Sequence, residues 1–134
     1  MEKRLLQAAV AVACIVPISA GLWGVIGGAG MLGHGGDVTL DSHVRYLSGL
    51  LLGIGVAFLS LVPRIENQGP SAALLSAIVV VGGLCRLYGV CVDGWPGPVM
   101  SGALLMELGV VPVLYLWQSR VAASVGLTSA RLSD

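Results

Sequence analysis

The sequence predicts an all-α integral membrane protein, built as an antiparallel bundle of four transmembrane helices with both termini in the cytoplasm. The 134 residues are 56% hydrophobic and only 10% charged, with a mean hydropathy of +0.92. Such a chain has too few polar side chains to cover a soluble domain of this size. Its apolar residues fall into four stretches, each near the ~20 residues that cross about 30 Å of hydrocarbon. The asymmetric distribution of lysine and arginine predicts the orientation.

Hydropathy places the four helices at about residues 5–27, 43–62, 70–91 and 98–117. Segments rich in glycine, proline, asparagine and aspartate separate them, as is typical of turns. Asp41 and Ser42 are candidate caps of the second helix, because their side chains can accept hydrogen bonds from unpaired backbone N–H groups. We interpret residues 1–117 as one transmembrane domain and residues 118–134 as a cytoplasmic tail.

Prolines lie both at the starts and in the interiors of the predicted helices. Pro70 and Pro98 occupy first turns, where a backbone N–H has no partner within the helix. Pro17 and Pro112 fall inside spans, where the missing N–H and the ring disturb the helix. We therefore expect bends in the first and fourth helices.

Basic residues outside the spans lie on one side of the predicted bundle. With the N-terminus in the cytoplasm, the two opposite loops contain no lysine or arginine, and the cytoplasmic side contains Lys3, Arg4, Arg64, Arg120 and Arg131. This is the bias expected of cytoplasmic loops. In a bacterium, the opposite side is the periplasm. Seven basic and seven acidic residues leave no net charge and no basic patch, so nucleic acid is not an expected partner.

Three ionisable residues lie inside the apolar stretches: Arg45, Arg86 and Glu107. A charged side chain near a bilayer centre costs at least ~2.5 to 3.5 kcal/mol, so such residues usually face a bundle interior or a wet cavity and pair with one another. Their positions along the helices place all three in the outer half of the membrane, with Glu107 roughly 13 Å below the start of its helix. We expect an Arg86–Glu107 contact with Arg45 above it.

The surroundings of this three-residue set suggest a ligand pocket. Tyr46 and Tyr88 are candidate hydrogen-bond donors to a ligand, and the expected rim consists of Asp41, His43 and Asp93. Two arginines against one glutamate leave a local excess of one positive charge, which a carboxylate, sulfate or phosphate could balance. A network of buried ion pairs that only fixes the helix register is the alternative interpretation.

Glycines near the two arginines suggest close helix packing. Arg45, Gly49 and Gly53 share one helix face, and Gly82, Gly83 and Gly89 flank Arg86. We favour packing within the bundle over dimerisation for these strips. The segment Gly28–Gly33 matches the letters of a dinucleotide-binding loop, but it follows a membrane span and not a β-strand. The sequence therefore predicts no cofactor, and no histidine or cysteine spacing predicts a metal site.

One set of motifs carries a resemblance to a known family: Leu40-Asp41-Ser42 with Arg45-Tyr46, Pro63-Arg64-Ile65-Glu66, Gly82-Gly83-Leu84-Cys85-Arg86, and Glu107. The chain from about Leu5 to Trp117 resembles a family of small four-helix bacterial membrane proteins of unknown function, often grouped with DoxX-like proteins. The resemblance implies a four-helix fold in the bacterial inner membrane and supplies no activity.

Three functions are compatible with these features. The leading hypothesis is a protein that binds a small amphipathic or anionic lipid-like ligand in a polar pocket within the membrane, open to the periplasm. The first alternative is a membrane enzyme, such as an isomerase, a cyclase or an epoxide-opening catalyst, with Glu107 as acid or base. The second is a structural subunit of a larger membrane complex, or a homo-oligomer. The sequence leaves the choice between enzyme and binding protein open.

Overall fold

A computed structural model describes residues 1–131, with side chains described as far as Val125, and this part of the chain is helical throughout apart from short turns. The predicted all-helical class is confirmed. Four helical segments are long and apolar enough to cross a membrane: Glu2–Leu32, Val38–Asn67, Gly69–Asp93 and Pro98–Val125. This composition implies a lipid bilayer environment and indicates a small multi-pass membrane protein.

The first two helices meet at a short glycine-rich connection. Helix α1 spans Glu2–Gly27 and continues into a 3-10 turn at Gly28–Leu32, and helix α2 spans Val38–Leu61. The Asp37 side chain caps α2 by accepting a 2.9 Å hydrogen bond from the Leu40 N–H. The predicted start near residue 43 is therefore five residues too late, and Asp41 lies inside the first turn of α2 and is not its cap.

A second 3-10 turn, Val62–Asn67, links α2 to helix α3, which spans Gly69–Asp93. The turn contains a backbone irregularity at Arg64, where φ is −127° and ψ is 39°. Pro70 stands at the beginning of α3, as predicted, since its missing N–H would have no helical partner there. Gly94, with φ of 96°, then ends α3.

The fourth span is not a uniform α-helix. Helix α4 spans Pro98–Leu105, a π-helical turn occupies Met106–Val110, and helix α5 spans Val111–Arg131. The predicted end at Trp117 is too early, because the helix continues through most of the segment that we interpreted as a tail. The last part of that segment, residues 132–134, lies outside the described residues.

The chain divides into two compact units, and the first comprises Ala8–Val62. Within this unit α1 and α2 approach closely at glycines: a Cβ added to Gly21 would lie 2.6 Å from the Leu52 nitrogen, and one at Gly55 would lie 2.8 Å from the Ile18 side chain. The expectation that Gly49 and Gly53 pack closely within the bundle is wrong, because no described atom lies within 4 Å of a Cβ built at either position. The close approach uses a different face of α2.

The second unit combines residues 1–7 with the described chain from Pro63 onward. Its buried apolar side chains are Leu6, Ile65, Ala72 and Val121. Gln118 is also buried, and its side-chain nitrogen donates a 2.8 Å hydrogen bond to the Ile65 carbonyl. Beside it, Lys3 forms a 2.7 Å ion pair with Glu66. These polar contacts connect the N-terminal residues and α5 to the turn that precedes α3.

Candidate functional site

Arg45 and Asp41 form an ion pair within the Ala8–Val62 unit, four residues apart on α2. The Arg45 Nε donates a 2.7 Å hydrogen bond to Asp41 Oδ2. The Arg45 Nη1 donates to two carbonyl oxygens at the end of α1, those of Val25 and Ile26. Because the last carbonyls of a helix lack partners in the helix, the guanidinium satisfies groups that would otherwise need water. We call this pair with its backbone contacts the Arg45 clasp.

The Arg45 clasp also holds the turn after α1. The Ala29 N–H donates a 2.9 Å hydrogen bond to Asp41 Oδ1. Gly28 has a φ of 57°, and a Cβ added there would clash with Asp41 Oδ1 and lie 2.8 Å from Arg45 Nη2. Glycine is needed at this position, since it alone combines an easy positive φ with no side chain. The clasp therefore connects α1, its terminal turn and the start of α2.

The predicted contact between Arg86 and Glu107 is present within the second unit. Arg86 Nε lies 2.9 Å from Glu107 Oε2, and Arg86 Nη2 lies 3.0 Å from Glu107 Oε1. This two-pronged geometry is the strong form of an arginine–carboxylate pair. The Arg86 side chain is 34% exposed and that of Glu107 is 18% exposed, so the pair is partly buried but reachable from outside the chain.

The π-helical turn positions Glu107. Its widened backbone is closed by a hydrogen bond from the Val111 N–H to the Met106 carbonyl, five residues apart. Pro112 follows directly and lacks the N–H that would continue the ladder. The irregularity expected at Pro112 thus takes the form of a π turn on its N-terminal side. Such turns in otherwise regular helices often occur at functional sites.

Gly83 on α3 allows this turn to approach Arg86. Gly83 is buried, and an added Cβ would lie 2.7 Å from Leu108 Cδ2 and 2.9 Å from Glu107 Cβ. Real Cβ atoms do not make contacts this short. By contrast, no described atom lies within 4 Å of a Cβ built at Gly82 or Gly89. One glycine of the predicted strip therefore packs against the site, and the other two do not.

A third group contacts the Arg86 guanidinium. Arg86 Nη1 donates a 3.1 Å hydrogen bond to the sulfur of Met100, near the start of α4. Met100 is 40% exposed. Thioether sulfur is a weak acceptor, so this bond is the weakest of those made by Arg86. We call Arg86, Glu107 and Met100 the Arg86 site.

Comparison with known protein families gives the affiliation of this chain. The sequence profile of a domain of unknown function, DUF4345, matches residues 5–118. The chain belongs to the DUF4345 family. This confirms that it is a member of an uncharacterised family, as the resemblance implied. No curated protein and no solved structure matches the chain.

The charge balance in this DUF4345 domain differs from the prediction. Asp41 neutralises Arg45, while Glu107 neutralises Arg86. The rim position expected of Asp41 stays a prediction. The excess positive charge expected for the three residues is therefore compensated. The common cluster of all three stays a prediction, because Arg45 belongs to the Ala8–Val62 unit and the other two residues do not.

The remaining candidate residues of the DUF4345 domain are exposed. Tyr46 and Tyr88 are 64% and 72% exposed. The His43 ring contacts the Thr39 carbonyl of its own helix at 3.0 Å, and exposed Asp93 ends α3. Their roles at a pocket or its rim stay predictions. Among the described residues, no group of three histidine, cysteine, aspartate or glutamate side chains could hold a metal ion.

Sequence reasoning missed Met100 and Gly28. Methionine carries no charge and is common in apolar helices, so nothing in the sequence distinguished Met100 from a residue facing lipid. In the sequence, Gly28 is one of several glycines in the segment after α1, and nothing distinguishes it from the others. Its proximity to Asp41 depends on how α1 and α2 meet, which is a property of the packing.

Proposed function

We propose that this protein binds a small amphipathic, lipid-like molecule at the Arg86 site, in the inner membrane of a bacterium. The observation that carries the proposal is a two-pronged Arg86–Glu107 pair within apolar helices, with about one third of the arginine side chain exposed. Polar groups inside membrane spans are costly and usually mark a ligand or ion pathway. An amphipathic molecule places its apolar part in the lipid and its polar head against the pair.

The hydrogen bonds of Arg86 support this role. A guanidinium has five N–H donors, and Glu107 and Met100 accept three of them. The guanidinium therefore retains donors for the head of a ligand. The π turn beside it widens the helix that carries Glu107. In the orientation that we propose, with both termini in the cytoplasm, the site lies nearer the periplasmic side.

Arg45 is assigned a different role in this proposal. Its guanidinium already bonds to Asp41 and to the carbonyls at the end of α1. A ligand would have to displace these contacts before it could bind Arg45. The proposal therefore rests on Arg86 and Glu107, with Arg45 as part of the fold.

The test is native mass spectrometry of the protein extracted from its own membrane, with identification of any bound molecule by liquid chromatography. The informative variant is Arg86→Met combined with Glu107→Met, which removes the polar site and leaves no unpaired charge. Cys85→Ala is the matched control, because Cys85 is an exposed neighbour of Arg86 on α3. We expect a small molecule on the wild type and the control but not on the double variant. The same molecule on the double variant, or none on the wild type, would overturn the proposal.

The same samples distinguish the alternative functions. For an enzyme, Glu107→Gln would retain the bound molecule but abolish its conversion to product. Here Glu107 would have to exchange a hydrogen bond to Arg86 for one to a substrate, since both of its oxygens contact the guanidinium. For a structural subunit, another protein chain and no small molecule would accompany the wild type.

A further inference from the structure

Met100 accepts a hydrogen bond from Arg86 Nη1, on the side of the guanidinium away from Glu107. Glu107 accepts from Nε and Nη2, which are two prongs on one edge of the guanidinium, and Met100 accepts from Nη1. Arg86 thus makes two strong hydrogen bonds to carboxylate oxygens and one weak hydrogen bond to a thioether sulfur. Nη1 carries two N–H groups and Met100 accepts from one of them, so an oxygen that binds on the Nη1 side meets one open donor and displaces only the least stable bond to reach the second.

Two properties of Met100 make this displacement easy. Methionine is unbranched, with rotatable bonds that allow the sulfur to move aside without disturbing the backbone. The residue is 40% exposed, so no packed core holds it in place. An oxygen acceptor forms a stronger hydrogen bond to a guanidinium than thioether sulfur does.

The charge of the site restricts the ligand head. Glu107 already neutralises Arg86, at 2.9 Å between Nε and Oε2. An anionic head would add an uncompensated negative charge inside an apolar span and would be repelled by the nearby carboxylate. A neutral oxygen acceptor, such as an ester or ketone carbonyl, adds no charge and still accepts from Nη1.

We propose that the ligand displaces the Met100 sulfur from Arg86 Nη1 and that the ligand head is a neutral carbonyl oxygen. We call Met100 in this role the placeholder. This inference rests on the proposed function of the Arg86 site. It names the ligand class as an apolar chain with a carbonyl head and identifies Met100 as a specificity-determining residue. When the ligand binds, its carbonyl oxygen takes the hydrogen bond from Nη1 and the Met100 side chain turns away.

Two probes of equal chain length test the head class. Radiolabelled methyl palmitate carries a neutral ester, and radiolabelled palmitate carries a carboxylate. Equilibrium binding of each to the wild-type protein in lipid nanodiscs should favour the ester by at least about tenfold. Equal or tighter binding of palmitate, or no binding of either probe, would overturn the inference.

Two variants test the placeholder. Met100→Leu keeps the apolar volume but removes the sulfur, so it should tighten methyl palmitate binding about threefold. Met100→Gln supplies a strong internal acceptor for Nη1 and should weaken binding at least about tenfold. Met31→Leu is the control, since Met31 has the same 40% exposure and lies in the other unit.

The outcomes separate this inference from the proposed function. Unchanged affinity of both Met100 variants would overturn the placeholder, even if the native ligand still disappears from the Arg86→Met, Glu107→Met double variant. A native ligand that remains on that double variant would overturn the proposed function itself. Circular dichroism melting of each Met100 variant, within a few degrees of wild type, establishes that a change in binding does not come from unfolding.

Discussion

Arg45 and Arg86 both lie on apolar helices and both pair with a carboxylate, but their surroundings differ. Arg45 pairs with a residue on its own helix and then binds backbone carbonyls at the end of α1. Arg86 pairs with Glu107 on the π turn before α5, and its Nη1 donates a further hydrogen bond to the thioether sulfur of Met100. The Arg45 side chain is 45% exposed and that of Arg86 is 34% exposed.

This comparison shows that the hydrogen-bond partners of a charged residue in an apolar helix are more informative than its charge alone. The donors of Arg45 satisfy acceptors that the fold creates at a helix end, so this arginine stabilises the connection between two helices. Three N–H donors of Arg86 bond to one carboxylate and to one weak thioether acceptor. The other two are available to the ligand that we propose. Similar residue types thus make structural contacts in one unit, whereas in the other they form the pair for which we propose a binding role.

Breaking the Arg86–Glu107 pair should have the largest effect on stability. Glu107→Ala leaves the Arg86 charge uncompensated in an apolar span, so we expect it to destabilise the protein by about 3 kcal/mol. The measurement is unfolding in mixed micelles, followed by circular dichroism. The control is the double variant Arg86→Met with Glu107→Met, which should recover most of the lost stability, because apolar replacement of both partners is often neutral. Equal stability of Glu107→Ala and wild type would refute the pair as a stabilising contact.

The Arg45 clasp is tested through Gly28. Gly28→Ala combines a strained positive φ with a clash against Asp41, so we expect a loss of about 2 kcal/mol in the same unfolding assay. Gly30→Ala is the matched control, two residues away in the same 3-10 turn, where no described atom lies within 4 Å of an added Cβ. If the two variants unfold alike, the clasp does not constrain this turn.

The packing of α3 against the π turn is tested by neighbouring glycines. Gly83→Ala forces the Glu107 and Leu108 side chains to move, and overpacking of this kind costs about 1.5 kcal/mol. It should also weaken ligand retention, since Glu107 shifts away from Arg86. Gly82→Ala should leave both stability and retention near wild type, because its Cβ meets open space. A similar response of both variants would contradict the close approach at Gly83.

The smallest effects are expected at the two exposed tyrosines. Tyr46→Phe and Tyr88→Phe each remove one hydroxyl group that lies on an exposed side chain. We expect changes in stability within about 0.5 kcal/mol, as is usual for surface positions. Native mass spectrometry of the same variants should show the wild-type amount of bound ligand. Loss of the ligand in either variant would show that the tyrosine hydroxyl takes part in ligand binding.

Part of the site could be predicted because charged residues are rare in apolar segments. Arg86 and Glu107 were identified in this way, and their positions along two neighbouring helices gave their contact. The sequence does not predict the partner of Arg45, because hydropathy places the start of α2 near residue 43 and leaves Asp41 as a candidate cap or rim residue, whereas α2 begins at Val38. A start at Val38 places Asp41 and Arg45 one turn apart inside the same helix, where they pair.

The packing glycines likewise separate what the sequence predicts from what depends on the tertiary structure. Gly49 and Gly53 have the spacing of a packing strip, yet Gly21 and Gly55 make the close approach. Spacing identifies faces on which helices can meet, but the choice among several such faces depends on the whole set of contacts.

The sequence by itself determined the helical class, the four apolar segments and the presence of charges within them, because hydropathy depends only on local composition. The tertiary structure alone decided that Arg45 binds backbone carbonyls, that a π turn carries Glu107, and that Met100 contacts Arg86. Hydrogen-bond partners are set by directions and distances between elements far apart in the chain. An uncharged methionine gives no local sign of such a contact, so only the packing of α3 against α4 and the π turn reveals it.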